Sequence, residues 1–339
     1  MPTLEEIAQL AHTSRSTVSR VINADPNVRE STRQRIQEVI TRLNYQPNQA
    51  ARSLAGGHTH ILGLVIPTGV ASVFTDPYFP TLIRGISSAC QERDYSVMLW
   101  LAEPEYERRT VMQVLQNGFI DGIIISSMST DEKIVEALIA SQLPFILIGR
   151  HPQHPEVSYV DVENQIGARQ AVNHLLALGR RRIACLCGPL NTIVGIDRQK
   201  GYLAALKDYG VPVDPHLVLE GNFSEEDGYR LTRSFIPYQP EAIFAASDAM
   251  ALGALRLLHE LFIPVPQQIA VVGFDDMPFA ARSQPPLTTV RQPIIQTGAM
   301  AAESLIARIE DPAQAGCPQI LLPTELVIRQ SCGANQQFS

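Results

Sequence analysis

The first 23 residues carry the pattern that most narrows what this chain can fold into: two short amphipathic helices separated by a tight turn. Thr3 and Glu6 have the spacing of a capping box, so a helix can begin at Leu4. Ser14 is a second N-cap candidate. The apolar positions have helical spacing; they are Ile7, Ala8 and Ala11 in the first helix and Val18, Val21 and Ile22 in the second.

The outer side of the second helix is polar. It presents Arg15, Ser16, Thr17, Ser19 and Arg20. Such a helix fits the major groove of B-DNA, where an arginine can bond guanine and hydroxyls can reach bases or phosphates. The alternative reading of this segment alone is two capped surface helices with an ordinary polar face.

A third helix is predicted over residues 31–43. Its core-facing positions are Ile36, Val39, Ile40 and Leu43. Asn44 can take the left-handed conformation that ends a helix, and Pro47 prevents its continuation. Three short helices around a small apolar centre predict a DNA-binding head. A short helical stretch over residues 47–57 then ends in two glycines.

The charge distribution agrees with a chain that touches phosphates at one end. The first 60 residues hold seven arginines and five acidic residues, a balance of +2. Since the whole chain carries −7, residues 61–339 carry −9. A mildly basic head on an acidic body fits DNA contact at the head, although the imbalance is small.

Composition sets the remaining bounds. A chain of 339 residues, 45% hydrophobic, is long enough for two or three domains. It has no apolar run of membrane-spanning length and begins with a capped polar helix rather than a signal peptide, so we expect a cytoplasmic protein without a membrane partner. The five cysteines lack zinc-ligand spacing, and Cys185 and Cys187 alternate within a predicted strand as small buried residues. We expect neither metal nor cofactor.

From Ile61 onward, strands alternate with helices. Residues 61–67 form a continuous apolar run typical of a buried parallel strand. Further strands are predicted over 96–101, 122–126, 145–148, 182–187, 217–219, 242–245 and 269–272, and helices over 79–93, 106–117, 131–141, 165–178, 196–209, 225–235 and 249–261. This alternation predicts two doubly wound α/β domains, with a ligand cleft between them.

The chain resembles the LacI/GalR family of bacterial transcriptional regulators. The resemblance rests on the two-helix segment, on Asn44–Asn48 and Ala51–Leu54, and in the body on stretches such as Asp76–Phe79, Asp161–Asn164, Asp197–Arg198, Ser247–Gly253 and Gly273–Asp276. It implies a sequence-specific DNA-binding regulator, a repressor, whose core is related in fold to periplasmic sugar-binding proteins. A homodimer with two heads would bind a near-palindromic double-stranded operator.

The resemblance also implies the domain boundaries. Residues 1–46 would form the helix-turn-helix domain, 47–60 a hinge helix and linker, and 61–339 an effector-binding and dimerisation core. The chain would cross between two core subdomains three times. One subdomain would hold residues 61–161 and 292–323, and the other 162–290 and 324–330.

Arg15 and Ser16 are the candidates for base contacts, supported by Arg20 and Asn23. The candidates for phosphate contacts, which position the head without reading sequence, are Ser14, Thr17, Ser19 and Thr32. Leu54 is predicted to insert into the minor groove, which would kink the DNA and pair the hinge helices of two subunits. Its alternative is packing on the core.

Strand ends and the loops after them face the cleft of an open α/β sheet. There, Arg198 offers a fork of donors and Asp275 can accept two hydroxyls. The alternative for these two residues is a structural ion pair. The aromatic candidates, which either stack on a sugar face or pack in the core, are Tyr78, Phe79 and Phe223. Ser126 and Ser247 could add hydrogen bonds. These positions match effector contacts of the family and favour a sugar.

Some positions depart from the family pattern. Arg150 follows a strand after which some sugar-binding members carry an acid, Ser247 replaces a frequent asparagine, and Ile294 an aromatic residue, so the effector is left open. Arg150 either contacts an acidic group or pairs with a protein carboxylate. His12 stands where a turn glycine is usual, and Arg29 replaces a helix-capping serine.

Two other classes compete with a regulator. A sugar-binding transport protein would share the core, but it needs a secretion signal and no DNA-binding head. An α/β enzyme needs a nucleophile or a phosphate loop, and the sequence contains no GxxxxGK[ST] segment and no GxSxG elbow. We therefore expect no enzyme and no catalytic residue.

Overall fold

The structure, a computed structural model, describes residues 2–22, 25–45, 58–66, 70–101, 118–126, 129–130, 134–313 and 316–334, with residues 70–72 described by their backbone alone. The chain divides into two compact units, the head (Met1–Thr59) and the core (His60–Ser339). Residues 47–57 of the predicted hinge and the predicted helix over 106–117 lie outside the described residues, as do Asn23 and Leu54.

The described head contains the helices α1 (Leu4–Leu10), α2 (Arg15–Ile22) and α3 (Glu30–Arg42). The predicted capping box begins α1: the Glu6 amide donates to the Thr3 hydroxyl at 3.2 Å, and the Thr3 amide donates to the Glu6 carboxylate at 2.9 Å. His12 then takes a φ of 47°, a left-handed conformation that turns the chain between α1 and α2.

A small apolar core joins the helices of the head. Its buried members are Ile7, Ala8, Ala11, Val18, Val21, Ile36 and Val39, with Ile22, Ile40 and Leu43 partly buried at its edge. Arg29 precedes α3 without a side-chain cap, and Asn44 ends the helical region with a φ of 46°. The apolar periodicity read from the sequence is confirmed.

The core alternates strands with helices. The strands are β1 (Ile61–Ile66), β2 (Ser96–Leu101), β3 (Gly122–Ser126), β4 (Phe145–Ile148), β5 (Tyr159–Val162), β6 (Ile183–Cys187), β7 (Val218–Glu220), β8 (Ala242–Ala245), β9 (Ala270–Asp275), β10 (Thr288–Arg291), β11 (Gln319–Leu322) and β12 (Glu325–Val327). The helices are α4 (Val70–Thr75), α5 (Tyr78–Glu92), α6 (Ile134–Ser141), α7 (Asn164–Ala177), α8 (Ile193–Asp208), α9 (Glu225–Phe235), α10 (Asp248–Glu260) and α11 (Ile294–Glu310).

These strands form two six-stranded sheets, ordered β11-β5-β4-β3-β1-β2 and β12-β10-β9-β8-β6-β7. We call each sheet with the helices packed on it the first and the second subdomain. The first sheet is parallel throughout. In the second, β12 pairs antiparallel with β10. The chain leaves the first subdomain at the carboxyl end of β11 and enters the second sheet at the edge where its other strands end. β12 begins at that edge, so it runs opposite to the other strands.

Helices cover both faces of each sheet. In β1, Leu64 joins the apolar cluster beneath α5 and α11, whereas its neighbour Val65 joins the cluster beneath α6. In β8, Phe244 packs with residues of α7 and α8, and Ile243 with residues of α9 and α10. Burial on both faces explains why these strands read as continuous apolar runs rather than as alternating ones.

Three short connections carry the chain between the subdomains. They are Glu163 between β5 and α7, residues 292–293 between β10 and α11, and residues 323–324 between β11 and β12. Val162 still belongs to the first sheet, one residue beyond the expected boundary. The connections place the strand ends of both sheets next to one another, which is where polar side chains collect.

Two predicted bounds were wrong in ways that matter for this region. The helix expected to begin at residue 196 begins at Ile193, because the Thr192 hydroxyl accepts the Gly195 amide at 3.1 Å and caps α8. The strand expected to end at residue 272 continues to Asp275, so that Asp275 is the last residue of β9.

The predicted fold class is confirmed: a helical head is followed by two subdomains built on parallel α/β sheets. Among the described residues, no helix combines the length and the apolar character needed to cross a bilayer.

Candidate functional site: the helical head and a polar cluster in the core

Most of the described side chains that are predicted to contact DNA lie on α2 or at its start. The exposed ones are Ser14, Arg15, Ser16 and Arg20, and the half-buried ones are Thr17, Ser19 and, at the start of α3, Thr32. Asn23 and Leu54 lie outside the described residues. The described candidates other than Thr32 thus lie on one short helix and at its start.

Ser14 caps α2. Its Oγ accepts the Thr17 amide at 3.2 Å and lies 2.8 Å from the hydroxyl oxygens of both Ser16 and Thr17. This cluster of hydroxyls fixes where α2 starts. It therefore also fixes the position of Arg15, the first residue of the helix.

Both arginines of α2 are near acidic residues of the head. The Nε atom of Arg15 lies 3.1 Å from a carboxylate oxygen of Glu5, and the Nε atom of Arg20 lies 3.9 Å from Asp25. Each pair is exposed to solvent on at least one side. Such pairs contribute little to the stability of a fold.

In the core, Arg198 of α8 is the centre of a buried polar cluster. The side chain is 5% exposed, and its Nε donates to Asn164 Oδ1 at 2.9 Å. Its Nη1 donates to the carbonyl of Ala246 at 2.5 Å and to Asp275 Oδ1 at 3.3 Å. The guanidinium carbon lies 3.7 Å from the ring centre of Phe274, which supports its plane. Such a buried arginine is fixed in one orientation.

Asp275 ends β9 beside this arginine and is 7% exposed. Its Oδ1 also accepts a hydrogen bond from Gln292 at 2.6 Å. Burial raises the pKa of Asp275 to about 7, although Arg198 acts to lower it. A φ of 122° at this residue is strained backbone of the kind that collects at functional sites. The carboxyl group is therefore held in place and close to its titration point at neutral pH.

Tyr78, at the start of α5 in the first subdomain, faces the same cluster. Its amide donates to Asp76 Oδ1 at 2.9 Å. Burial raises the pKa of the Tyr78 hydroxyl. The positive charge of Arg198 acts to lower this pKa, and the carboxylates of Asp275, Asp161 and Asp76 raise it further. Burial likewise raises the pKa of Asp76, again opposed by Arg198. These interactions place charged groups of both subdomains around one point.

The other two aromatic candidates differ in their surroundings. Phe79 is buried in the apolar core of the first subdomain, with its ring edge-on to Tyr78. Of the two alternatives for Phe79, stacking on a sugar or packing in the core, the structure shows core packing. Phe223 is half-buried, and its ring centre lies 5.8 Å from the Arg198 guanidinium. A Cβ on Gly188 would approach the Phe223 ring to 2.1 Å, so this glycine makes the room that the ring occupies.

The two serine candidates lie at strand ends. Ser126 is the last residue of β3 and is 1% exposed. Ser247, 4% exposed, accepts the Met250 amide at 3.2 Å and so caps α10. Its hydroxyl donates to the carbonyl of Phe223 at 3.2 Å. Ser247 thus holds Phe223 in place, and its single proton is already used.

Arg150, whose partner the sequence left open, pairs with protein carboxylates. It follows β4 of the first subdomain, and its Nε donates to Asp161 Oδ2 at 2.8 Å. Its Nη2 bonds Asp197, which lies on α8 of the second subdomain. Asn164 Nδ2 donates to Asp161 Oδ1 at 3.0 Å and its Oδ1 accepts from Arg198, so a continuous set of hydrogen bonds joins Arg150 to Arg198.

A backbone contact also joins the subdomains: the Thr130 amide donates to the carbonyl of Asn191 at 2.7 Å. The polar cluster therefore lies between subdomains that also contact each other at Thr130.

Several members of the cluster were not among the predicted site residues. They are Asp76, Asp161, Asn164, Asp197 and Gln292. Four of them stand inside stretches that carried the family resemblance, so a signal was present. The resemblance did not distinguish residues that contact the ligand from buried residues that position them, because both roles use the same polar residue types.

A separate cavity of about 280 Å³ lies near the amino end of β6, whereas the cluster lies at the carboxyl end of β9. Its polar lining is engaged within the protein: Arg182 bonds Asp214 at 3.1 Å and Arg181 bonds the carbonyl of Leu176 at 2.7 Å. The polar cluster is the stronger candidate for a ligand site.

Comparison with known proteins accounts for both parts of the chain. A family model described as bacterial regulatory proteins, lacI family, matches residues 3–48, and one described as periplasmic binding protein-like domain matches residues 172–332. The HTH-type transcriptional regulator CelR of Thermobifida fusca is 36% identical over 97% of this chain and 98% of its own length. The chain belongs to the lacI family of bacterial regulatory proteins. It is a DNA-binding transcriptional regulator.

Solved structures agree with this assignment. A complex of the transcriptional regulator CelR with cellobiose matches with a TM-score of 0.78 and 34% identity, covering 98% of this chain and 100% of that one. The Lac repressor dimer bound to operator and the anti-inducer ONPF matches with a TM-score of 0.85 and 28% identity, covering 98% and 99%. The predictions of family, fold and regulatory function are confirmed.

Proposed function

We propose that this lacI-family regulator is a homodimeric repressor whose operator affinity is switched by a neutral sugar bound at the polar cluster between its core subdomains. The observation that carries the proposal is the orientation of Arg198 and Asp275, which are buried, bonded to each other and surrounded by polar groups from both subdomains. The similarity to a CelR–cellobiose complex supports a sugar, and the similarity to an operator-bound Lac repressor dimer supports the dimer.

The charges of the cluster favour a neutral ligand. Its acidic members are Asp76, Asp161, Asp197 and Asp275, and its cationic members are Arg150 and Arg198. Both arginines are already paired with carboxylates, so a phosphate or carboxylate ligand would enter a region of excess negative charge. Sugar hydroxyls can donate to carboxylates and accept from guanidinium groups, and they carry no charge to desolvate.

Around such a ligand, the proposed contacts are Arg198, Asp275, Tyr78 and Ser126, with Phe223 as the stacking surface. Ser247 acts through Phe223, whose carbonyl it binds. The ligand can change operator affinity only by its difference in affinity for two arrangements of the protein. The contacts between subdomains at Arg150 and at Thr130 are places where such arrangements would differ.

At the head, we propose that Arg15 and Ser16 contact bases with support from Arg20 and Asn23, while Ser14, Thr17, Ser19 and Thr32 contact phosphates. Leu54, with the hinge, would enter the minor groove. Two heads in a dimer would read a near-palindromic operator, and a protein with that task works in the cytoplasm. Binding of DNA and a sugar requires no catalytic step.

The test combines thermal unfolding with operator binding. The purified protein is heated with cellobiose, ribose, glucose, glucose 6-phosphate and hypoxanthine, since a ligand that binds the folded core raises the melting temperature. We expect a neutral sugar to stabilise the protein and to change its affinity for a selected operator. Arg198→Lys should abolish the shift, whereas Arg256→Lys, at an exposed ion pair with Glu225, should keep it.

Stabilisation by the phosphorylated sugar or the purine alone would overturn the neutral-sugar proposal. Sugar binding without any effect on operator affinity would favour a transport-type binding role, and the absence of sequence-specific DNA binding would contradict the repressor.

A further inference from the structure

Glu5 and Arg15 form the ion pair that links the first two helices of the head on their outer side. Glu5 lies in the first turn of α1 and Arg15 is the first residue of α2, with Arg15 Nε 3.1 Å from Glu5 Oε1. Their side chains are 58% and 69% exposed. Glu5 takes no part in the capping box of α1, which uses Glu6. Its carboxylate is therefore available to Arg15.

The geometry of the pair leaves the reading end of the arginine open. A guanidinium group offers five donors in a planar fork, and Nε is the donor nearest the stem. With Nε held by Glu5, the two terminal nitrogens keep the edge that bonds guanine O6 and N7 together. At the other side, the hydroxyl cluster of Ser14, Ser16 and Thr17 fixes the backbone from which Arg15 extends. The helix cap thus fixes the backbone at Arg15, and the ion pair with Glu5 biases the orientation of its guanidinium group.

An acid at this place is otherwise unfavourable for a DNA-binding surface. It adds a negative charge next to a helix that is to approach phosphates, and it lowers affinity for any DNA sequence. An exposed ion pair also gives little stability in return. The useful consequence is specificity: an arginine whose plane is already set loses less freedom when it binds guanine and adapts less readily to another base.

We propose that Glu5 is a positioning residue that orients Arg15 for a two-bond contact with one guanine in each operator half-site. This rests on the proposed function, in which Arg15 contacts a base. Glu5 itself touches no base in this arrangement. Glu5 lowers the affinity for DNA of any sequence and increases discrimination at one base pair.

The experiment uses the full-length protein. A preferred operator is first selected from a random DNA library, and each base pair of its half-site is then replaced in turn. Competition binding measures the affinity for every replacement and for unrelated DNA, for wild type, Glu5→Gln, Arg15→Ala and the double variant. Thermal unfolding verifies that each variant is folded.

We expect Arg15→Ala to lose discrimination at one G·C pair, and Glu5→Gln to reduce discrimination about tenfold at that same pair, within the range of a two-bond base contact. Glu5→Gln should also bind unrelated DNA more tightly than wild type does. In the Arg15→Ala background, Glu5→Gln should change discrimination no further. Glu38→Gln removes an equal charge from the exposed side of α3 and should leave discrimination unchanged.

Four results would overturn the proposal. Unchanged discrimination in Glu5→Gln, with a loss in Arg15→Ala, would mean that Arg15 reads its base unaided. A loss at a different base pair would mean that Glu5 contacts a base itself, as a carboxylate can at cytosine N4. Unchanged discrimination in Arg15→Ala, or no preferred operator for wild type, would contradict the proposed function and the positioning role with it.

Discussion

Arg150 of the first subdomain is ion-paired with Asp197 of the second, and this pair spans the boundary at which the proposed ligand binds. The same guanidinium holds Asp161 of its own subdomain at 2.8 Å. Asp197 and Asp161 are 5% and 4% exposed, so a single partly exposed cation serves two buried carboxylates. The pairing couples relative movement of the subdomains to the contacts of Arg150.

Removing that cation should weaken the core. Arg150→Ala leaves two buried carboxylates without their partner, and we expect the free energy of unfolding to fall by about 2 kcal/mol, less than for a fully buried pair because Arg150 is partly exposed. Urea unfolding measures the change. Arg169→Ala breaks the exposed pair with Asp208 and should change the value by less than about 1 kcal/mol. Equal effects of the two substitutions would contradict a special role for Arg150.

Asp275 should make stability fall as the pH rises. Its pKa is about 7 in the folded protein, against an ordinary value of 3.8, so the folded state binds the proton more tightly. The contribution of protonated Asp275 to the stability of the fold is fully present below about pH 4, and it is lost as the pH rises to about 7. We expect the free energy of unfolding of wild type, relative to Asp275→Asn, to decrease over this interval and to level off above it. Urea unfolding at a series of pH values measures this difference.

The comparison with Asp275→Asn isolates one group, because burial also raises the pKa of Asp76 and Asp197 in the same cluster. A difference between wild type and variant that stays constant from pH 4 to 8 would mean that Asp275 titrates at its ordinary value. A difference that increases with pH would mean that Arg198 dominates and lowers the pKa.

Local patterns predicted the head and most of the sheets. The capping box at Thr3 and the left-handed residues His12 and Asn44 depend on interactions within a few residues, and the apolar spacing of α1 to α3 follows from one face being buried. Strands β2, β3 and β4 match the predicted bounds because each is an apolar run between turn residues. Such features need no knowledge of the rest of the chain.

Other elements depend on distant partners. β5 and β12 are short and contain charged residues, and they are strands because they pair with β4 and β11, or with β10. No local pattern predicts them. No local pattern predicts the partner of Arg150 either, because Asp197 is 47 residues away in the other subdomain. The sequence indicated Arg198 and Asp275 as ligand contacts, with an ion pair as the alternative. It did not show whether Ser247 contacts the ligand or positions a residue that does.

Gly188 should be essential for the position of Phe223. A Cβ at residue 188 would lie 2.1 Å from the ring, so Gly188→Ala must displace Phe223. We expect the free energy of unfolding to fall by about 1–3 kcal/mol. We also expect sugar binding, measured by calorimetry, to be lost. In a Phe223→Ala background the ring is absent, and Gly188→Ala should then have little further effect on stability. Additive losses in the double variant would show that Gly188 acts through another neighbour.

Ser247→Ala and Ser224→Ala test whether a helix cap also shapes the ligand site. Ser247 accepts the Met250 amide to cap α10, and Ser224 accepts the Asp227 amide to cap α9. Each substitution should therefore lower the free energy of unfolding by about 1 kcal/mol. Only Ser247 also binds the Phe223 carbonyl, so only Ser247→Ala should reduce sugar affinity, measured by calorimetry on the folded protein. Equal sugar affinities in the two variants would contradict its role in holding Phe223 and leave the serine a helix cap alone.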